Sequence, residues 1–262
     1  MMSLEEVTVV LQSFKELSVP DSRITCLRPA ENQKVWYGAD YPQKYIVWEH
    51  ETQKEAVYWI KRLRIMGHDL PSVVCELICA RIGRQLFPQS LCPPYAIADP
   101  LPGKRERGFG SKDLAGYGLE RLDSNNDLQK VKNIDPTTLA RIIVYHLWLV
   151  AYDAEILIHE NGKEAFSIDH SFFLWWHKET LQKDLYSELL AVLDEKEIES
   201  ALNELENIDQ KRVIEQFAFI PKNWGVDMRS AAYLAWRILQ RKAEVRTTIA
   251  TMRKQRSVGA QS

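Results

Sequence analysis

The segment AFSIDHSFF, residues 165–173, places one carboxylate, Asp169, directly after a short apolar strand. A turn at Asn161 and Gly162 joins this strand to the apolar run 156–158, which predicts a β-hairpin. A metal ligand needs a fixed base, and the end of a strand provides one. The segment therefore predicts Asp169 as a magnesium ligand, with a simple cap of the following turn as the alternative.

A second acid, Asp153, lies upstream of this hairpin. Asp135 and Pro136 give the start signal of a helix that we predict to run to about Tyr152, so Asp153 follows its last turn. Sixteen positions separate Asp153 from Asp169, and the hairpin between them brings both acids to its mouth. Phosphoryl transfer uses such a pair, one acid for the attacking hydroxyl and one for Mg²⁺. An ordinary helix-end aspartate is the alternative for Asp153.

β-branched and aromatic runs dominate an earlier region of the chain. Runs at 35–37, 45–48 and 56–60 are separated by turn residues, which predicts a small antiparallel sheet. The last run reads VYWIK and ends in Lys61, in the manner of the strand that carries the phosphate-binding lysine of kinases. A helix is predicted next, with Pro71 in its first turn.

Glu76 follows Lys61 by fifteen residues and lies in that helix among apolar neighbours, namely Val73, Val74, Leu77 and Ile78. A carboxylate on so apolar a segment needs a partner. Lys61 is the economical choice, which predicts an ion pair between the strand and the helix. The alternative is a surface lysine at a strand end and a glutamate on the solvent face of the helix.

The order of elements fits an α+β fold of the bilobal protein-kinase-like type. Residues 1–118 would form a small β-rich lobe with one helix, and residues 119–262 a mostly helical lobe with the hairpin. Residues 7–17 fit either a strand or a short helix, and residues 104–118 predict a loop or a strand edge. Helical spacing predicts helices after the hairpin, the last over residues 224–253. Many unrelated α+β proteins share this order, so it does not decide function.

Composition argues against two classes of function. The 262 residues include 34 basic and 36 acidic side chains, so a net charge of -2 predicts neither direct nucleic-acid binding nor membrane attraction. The apolar stretch 142–158 contains His146, Asp153 and Glu155, which predicts buried protein rather than a membrane span. The four cysteines form no CxxC pair and no signal peptide is evident, so we expect reduced thiols and a cytoplasmic protein.

Several of these segments together resemble the HipA-like kinases. WLVAYD at 148–153, ILI at 156–158 and IDHSFF at 168–173 are similar to the family core W-L-x-N-x-D-R-H-x-x-N-L-L and the following A-I-D-H-x-x-x-F. FGS at 109–111 and IPKNW at 220–224 resemble segments of the smaller HipA-like subgroup. The similarity extends over most of the chain.

The resemblance implies a two-lobed kinase fold, ATP with Mg²⁺ as cofactors, and transfer to a protein serine or threonine. By position, Lys61 would hold the nucleotide phosphates and Glu76 would orient Lys61. Asp153 would position the substrate hydroxyl, and Asp169 would bind Mg²⁺. Several bacterial members of the family are toxins paired with an antitoxin, so the implied partner is a protein substrate or an antitoxin-like protein.

The catalytic loop departs from the family pattern. Ala151 stands where the family has asparagine, and Ala154, Glu155 and Ile156 follow Asp153 in place of arginine, histidine and a downstream asparagine. Glu155 is the candidate replacement for that asparagine as a metal ligand, because its carboxylate is a hard oxygen donor suited to Mg²⁺. Three functions remain open: an active ATP-dependent protein kinase, a catalytically degenerate kinase-fold module that binds a nucleotide or a partner protein without turnover, and a helical scaffold without a nucleotide site.

Overall fold

A five-stranded barrel and a helical body make up the mixed α/β structure. The computed structural model describes residues 1–14, 23–30, 43–62, 71–98, 108–121, 130–151, 155–174 and 183–259. The barrel closes in the order β1-β2-β3-β5-β4, and neighbouring strands are antiparallel except for the parallel pair β1 and β4. Its strands are β1 (Arg23–Pro29), β2 (Gln43–Glu49), β3 (Lys54–Arg62), β4 (Tyr95–Ala98) and β5 (Gly108–Lys112).

Alternation along β3 decides which side chains fill the barrel. Tyr58 and Ile60 face inward, where they join an apolar cluster from the other strands. Lys61 follows Ile60 and therefore projects from the outer face. Gly110 of β5 allows the barrel to close, because a Cβ there would lie 2.9 Å from the Ile24 and Ile60 side chains. The predicted antiparallel sheet is thus part of a barrel, which is completed by three strands that sequence periodicity did not reveal, β1, β4 and β5.

A second, three-stranded antiparallel sheet contains the predicted hairpin. It consists of β6 (Tyr117–Arg121), β7 (Glu155–His159) and β8 (Ala165–Ile168) in that order. The turn between β7 and β8 includes Gly162 with a φ of 73°, a conformation that favours glycine. The hairpin prediction is confirmed. The segment 104–118, predicted as a loop or a strand edge, contains β5 and the first two residues of β6.

Helices build the rest of the described chain. A 3-10 turn, His170–Phe172, follows β8 directly, and another, Lys222–Trp224, precedes the last helix. The α-helices are α1 (Leu4–Phe14), α2 (Ser72–Gln85), α3 (Pro136–Leu149), α4 (Lys183–Leu190), α5 (Glu195–Asn207), α6 (Gln210–Phe217) and α7 (Met228–Gly259). Among the described residues, none of these helices has the length and apolarity needed to cross a membrane.

The bounds of three helices differ from those predicted. Asp135 caps α3 by accepting from the Thr138 amide, as expected, but α3 ends at Leu149 because Val150 adopts a left-handed conformation. Pro71 is the residue before α2 rather than part of its first turn. Helix α7 begins at Met228 instead of residue 224, because Gly225 is left-handed at the end of the 3-10 turn.

The N-terminal helix α1 resolves the ambiguity between strand and helix for residues 7–14, and residues 15–17 lie outside the described residues. Val7 and Leu11 of α1 are fully buried, and α1 packs against α6 and α7. The predicted strands 45–48 and 56–60 lie in β2 and β3, whereas the run 35–37 is outside the described residues. The predicted division after residue 118 falls inside β6, and it stays a prediction.

A buried histidine links α3 to the β6-β7-β8 sheet. His146 has no exposed surface; its Nε2 lies 2.7 Å from Ser167 Oγ on β8, and its Nδ1 lies 3.1 Å from the Tyr186 hydroxyl on α4. Burial, with a smaller contribution from the neighbouring His170, lowers the pKa of His146 to about 3. His146 is therefore neutral in the folded protein at pH 5 to 7.

We expect the folded state to lose stability in mild acid because of His146. The unfolded chain takes up this proton near pH 6.5 and the folded chain near pH 3, so the contribution is complete above pH 6.5 and falls as the pH drops towards 3. The loss for this residue is about 2 kcal/mol between pH 7 and pH 5. Urea unfolding at both pH values measures it.

His146→Gln is the matched variant, because an amide can hydrogen-bond to Ser167 and Tyr186 but does not titrate. Its free energy of unfolding should fall by about 2 kcal/mol less than that of the parent between the two pH values. Equal pH dependence in parent and variant would show that His146 does not titrate as described.

Candidate functional site

The ammonium group of Lys61 joins three elements that are distant in sequence. Its Nζ donates to Glu76 Oε1 on α2 at 2.5 Å and to Asp169 Oδ1 after β8 at 2.6 Å. The predicted Lys61–Glu76 ion pair is therefore present, and Asp169 extends it. We call these three residues together with His170 and Ser171 the Lys61 cluster.

Ser171 completes the coordination of Lys61. Its hydroxyl accepts from Lys61 Nζ at 2.9 Å and donates to Glu76 Oε1 at 3.0 Å. An ammonium group has three N–H donors. Glu76, Asp169 and Ser171 take all three, so a further acceptor at Lys61 has to replace one of them.

The carboxylates of the Lys61 cluster differ in how far solvent reaches them. The side chains of Lys61 and Glu76 are 10% and 3% exposed, whereas that of Asp169 is 34% exposed. A surface lysine and a solvent-facing glutamate are therefore excluded as the explanation of Lys61 and Glu76. Asp169 forms the accessible edge of the cluster, where a ligand can reach it.

Mutual attraction keeps both members of the buried pair charged. Burial alone would lower the pKa of Lys61, but Asp169 and Glu76 outweigh it and raise that pKa above its ordinary range. Burial would raise the pKa of Glu76, but Lys61 first, and His170 after it, hold it well below its ordinary range. The pair is an ammonium and a carboxylate at any pH in the physiological range.

His170 supports Glu76 from the side opposite Lys61. Its Nδ1 lies 3.3 Å from Glu76 Oε2, in a direction that gives charge attraction without hydrogen-bond geometry. Burial lowers the pKa of His170, but Cys92 and Glu76 outweigh this and bring it to about 9. With His170 protonated, the two cations and two carboxylates of the Lys61 cluster cancel in charge.

The backbone at Asp169 is unusual for a residue other than glycine. Its φ of 52° and ψ of 61° are left-handed, a region that aspartate visits more readily than most residues. Its side chain makes no capping hydrogen bond to the 3-10 turn that follows. The alternative role as a turn cap is thus not what the carboxylate does, because its Oδ1 contacts Lys61 instead.

Of the other two predicted site residues, Asp153 and Glu155, the structure describes only Glu155. Asp153, predicted to position the attacking hydroxyl, lies outside the described residues. Glu155 is buried at the start of β7, in register with Ile168, the residue before Asp169. Within the described ranges, no group of three or more histidine, cysteine, aspartate or glutamate residues is arranged to hold a metal ion. Asp169 and Glu155 as magnesium ligands stay a prediction.

Sequence reasoning did not identify Ser171 and His170 as members of the site. Both directly follow Asp169 in the IDHS segment, so adjacency to the predicted metal ligand was the available signal. Spacing gave no reason to connect them with Glu76, which lies 95 positions before Ser171. The 3-10 turn after β8 brings both side chains back to α2.

Comparison of the sequence with protein-family models finds no match, and comparison with curated proteins finds none either. Among solved structures, the fold is similar to a chain described as "Crystal structure of the golgi casein kinase", with 10% identity and a TM-score of 0.48. That similarity covers 97% of this chain and 78% of the other. Similarity at this level does not establish a family or an activity.

We expect Glu76→Gln to destabilise the protein strongly. The substitution preserves size but leaves the buried Lys61 and His170 without their shared carboxylate. Removing one partner of a buried ion pair costs about 3–5 kcal/mol. Guanidinium unfolding of parent and variant at pH 7 measures the difference in free energy.

Glu55→Gln provides the matched control. Glu55 pairs with Arg28 at 3.2 Å, but the two side chains are 49% and 56% exposed. An exposed pair of this kind contributes about 1 kcal/mol or less. If both variants lost the same small amount, the Lys61 cluster would not be the buried ionic centre described.

Proposed function

We propose that the protein is a kinase-type phosphotransferase that uses ATP with Mg²⁺. The proposal rests on one observation: the strand lysine Lys61 contacts both a helix carboxylate, Glu76, and a carboxylate at a strand end, Asp169. Phosphoryl transfer requires a cation on the phosphates and acidic metal ligands. Lys61 and Asp169 supply these groups side by side.

The arrangement also indicates how a nucleotide would enter. All three Lys61 donors are engaged, so a phosphate oxygen must displace Asp169 or Ser171. Asp169 is the accessible one, at 34% exposure. On binding, its carboxylate would exchange Lys61 for Mg²⁺, which neutralises charge on the phosphates when it is bound. Glu76, 3% exposed, would keep Lys61 in place.

The finer parts of the proposal rest on the sequence resemblance to HipA-like kinases. In this view Asp153 positions the acceptor hydroxyl of a protein serine or threonine, and Glu155 joins Asp169 as a metal ligand. The β-rich and helical parts would form the two lobes. A cytoplasmic setting with a protein substrate or an antitoxin-like partner belongs to the same proposal.

A second candidate function is nucleotide or partner binding without turnover. The observation that favours it is the catalytic segment after Asp153, where Ala154, Glu155 and Ile156 replace the family's arginine, histidine and asparagine. Such a module would keep Lys61, Glu76 and Asp169 for binding. Binding and turnover assays separate the two candidates.

We expect Mg²⁺-ATP to raise the melting temperature of the parent by about 5 °C or more at one hundred times its dissociation constant. Asp169→Asn should fold, because its side chain is partly exposed, and should lose the Mg²⁺-dependent part of this shift. Asp113→Asn is the matched control, since Asp113 also pairs with a lysine, Lys44, and is 30% exposed. Asp113→Asn should respond as the parent does.

An Asp169→Asn variant that retains the full Mg²⁺-ATP shift would place the nucleotide elsewhere. Absence of binding to the parent at millimolar Mg²⁺-ATP, measured by calorimetry, would reject the phosphotransferase and nucleotide binding, and would leave partner binding or a scaffold.

Turnover is tested with radiolabelled ATP. An active kinase should transfer label to itself or to an added protein, and Asp153→Asn should abolish transfer while sparing nucleotide binding, because Asp153 acts on the acceptor hydroxyl. Binding without any transfer by the parent would favour the degenerate module.

A further inference from the structure

A cavity lies away from the Lys61 cluster. It has a volume of about 580 Å³ and is lined by the barrel, the C-terminal part of α2 and helix α6. Volumes of this size are typical of small-molecule sites. Lys61, Glu76 and Asp169 are not among its lining residues, so it is a separate feature of the molecule.

Positive charge dominates the lining of this cavity. Five basic side chains face three glutamates, Glu49, Glu51 and Glu215; the basic residues are Arg23, Arg81, Arg84, Lys112 and Arg212. The negative charge of Glu49 is compensated by Lys112, because Lys112 Nζ lies 2.8 Å from Glu49 Oε1. Four arginines then share the cavity with two glutamates. Bringing like charges together is unfavourable, and an anion between them relieves the repulsion.

Neutral groups hold two of the arginines in position. Arg84 donates to Ser90 Oγ at 3.2 Å and to the Cys92 carbonyl at 2.9 Å. Arg212 donates to the Gln85 carbonyl at 2.5 Å, in the last turn of α2. These contacts fix the guanidinium groups without neutralising them.

Arg81 is the buried member of the set. Its residue exposure is 6%, its guanidinium carbon lies 3.6 Å from the centre of the Phe219 ring, and its Nη1 lies 3.4 Å from the Tyr95 hydroxyl. An aromatic face holds a guanidinium group flat and leaves its in-plane donors at the edge. Planar donors of this kind match phosphate and carboxylate oxygens.

We propose that this cavity binds a small multivalent anion, a molecule with two or more phosphate or carboxylate groups. Arg81, Arg84 and Arg212, from α2 and α6, would hold one anionic group. Arg23, at the start of β1, would contact another across the cavity. The proposal does not depend on the activity assigned to the Lys61 cluster, because it uses none of those residues.

Calorimetric titration of the full-length protein with pyrophosphate, tripolyphosphate and citrate tests the site. Arg212→Gln is the principal variant, because Arg212 is exposed and its single main-chain contact makes a folding defect unexpected. Its affinity for the preferred anion should fall about tenfold, the effect of losing one charge-assisted hydrogen bond. Arg229→Gln, an exposed arginine outside the cavity, removes the same charge and should leave affinity unchanged.

Each outcome bears on the proposal. Tighter binding of the phosphates identifies a phosphorylated ligand, tighter binding of citrate identifies a polycarboxylate, and both support an anion site. Binding that Arg212→Gln and Arg23→Gln leave unchanged would place the anion elsewhere, for example at Lys61, and overturn the proposal. Failure of all three anions to bind at millimolar concentration would also overturn it.

Discussion

Burial of the Lys61 ammonium is the constraint on which the central architecture depends. Removing an ammonium from water costs several kcal/mol even after relaxation, so it requires compensation close by. The compensating carboxylates come from two other elements, Glu76 on α2 and Asp169 after β8. The outer face of β3, the middle of α2 and the end of β8 must therefore meet at one point. The interaction that secures this packing is also the one that gives the candidate site its chemistry.

A chain of buried polar groups connects this charge centre to the helical core. Ser167 Oγ lies 3.0 Å from His170 Nε2 and 2.7 Å from His146 Nε2. The two histidines differ in charge, since His170 is protonated beside Glu76 while burial keeps His146 neutral. Polar networks of this kind stabilise only when every member has its partners. Because His146 lies on α3 and His170 contacts Glu76, this network couples the Lys61 cluster to the packing of α3.

The two charged regions of the molecule differ in their electrostatic balance. In the Lys61 cluster the cations and carboxylates cancel, so a ligand there has to exchange one ionic contact for another. The arginine-lined cavity carries a net positive charge from residues such as Arg81, Arg84 and Arg212. An anion there would contact arginines such as Arg84 and Arg212, which neutral groups hold in position. The first arrangement suits a site that changes state on binding, and the second suits a preformed one.

The sequence by itself determined those elements of secondary structure that depend on residues close together in the chain. Strands β2 and β3, the β7-β8 hairpin and the start of α3 follow from local periodicity, a turn dipeptide and a capping aspartate. The apolar surroundings of Glu76 indicated that it needs a partner, and Lys61 at a strand end was the economical choice. Tertiary structure alone decided that β4 and β5 close a barrel, that α3 stops at Leu149, and that Asp169 contacts a lysine 108 positions earlier in the chain. The physical reason is that barrel closure and the meeting of charged side chains depend on packing between distant segments of the chain. The two-residue period of strands and the 3.6-residue period of helices carry no information about such packing.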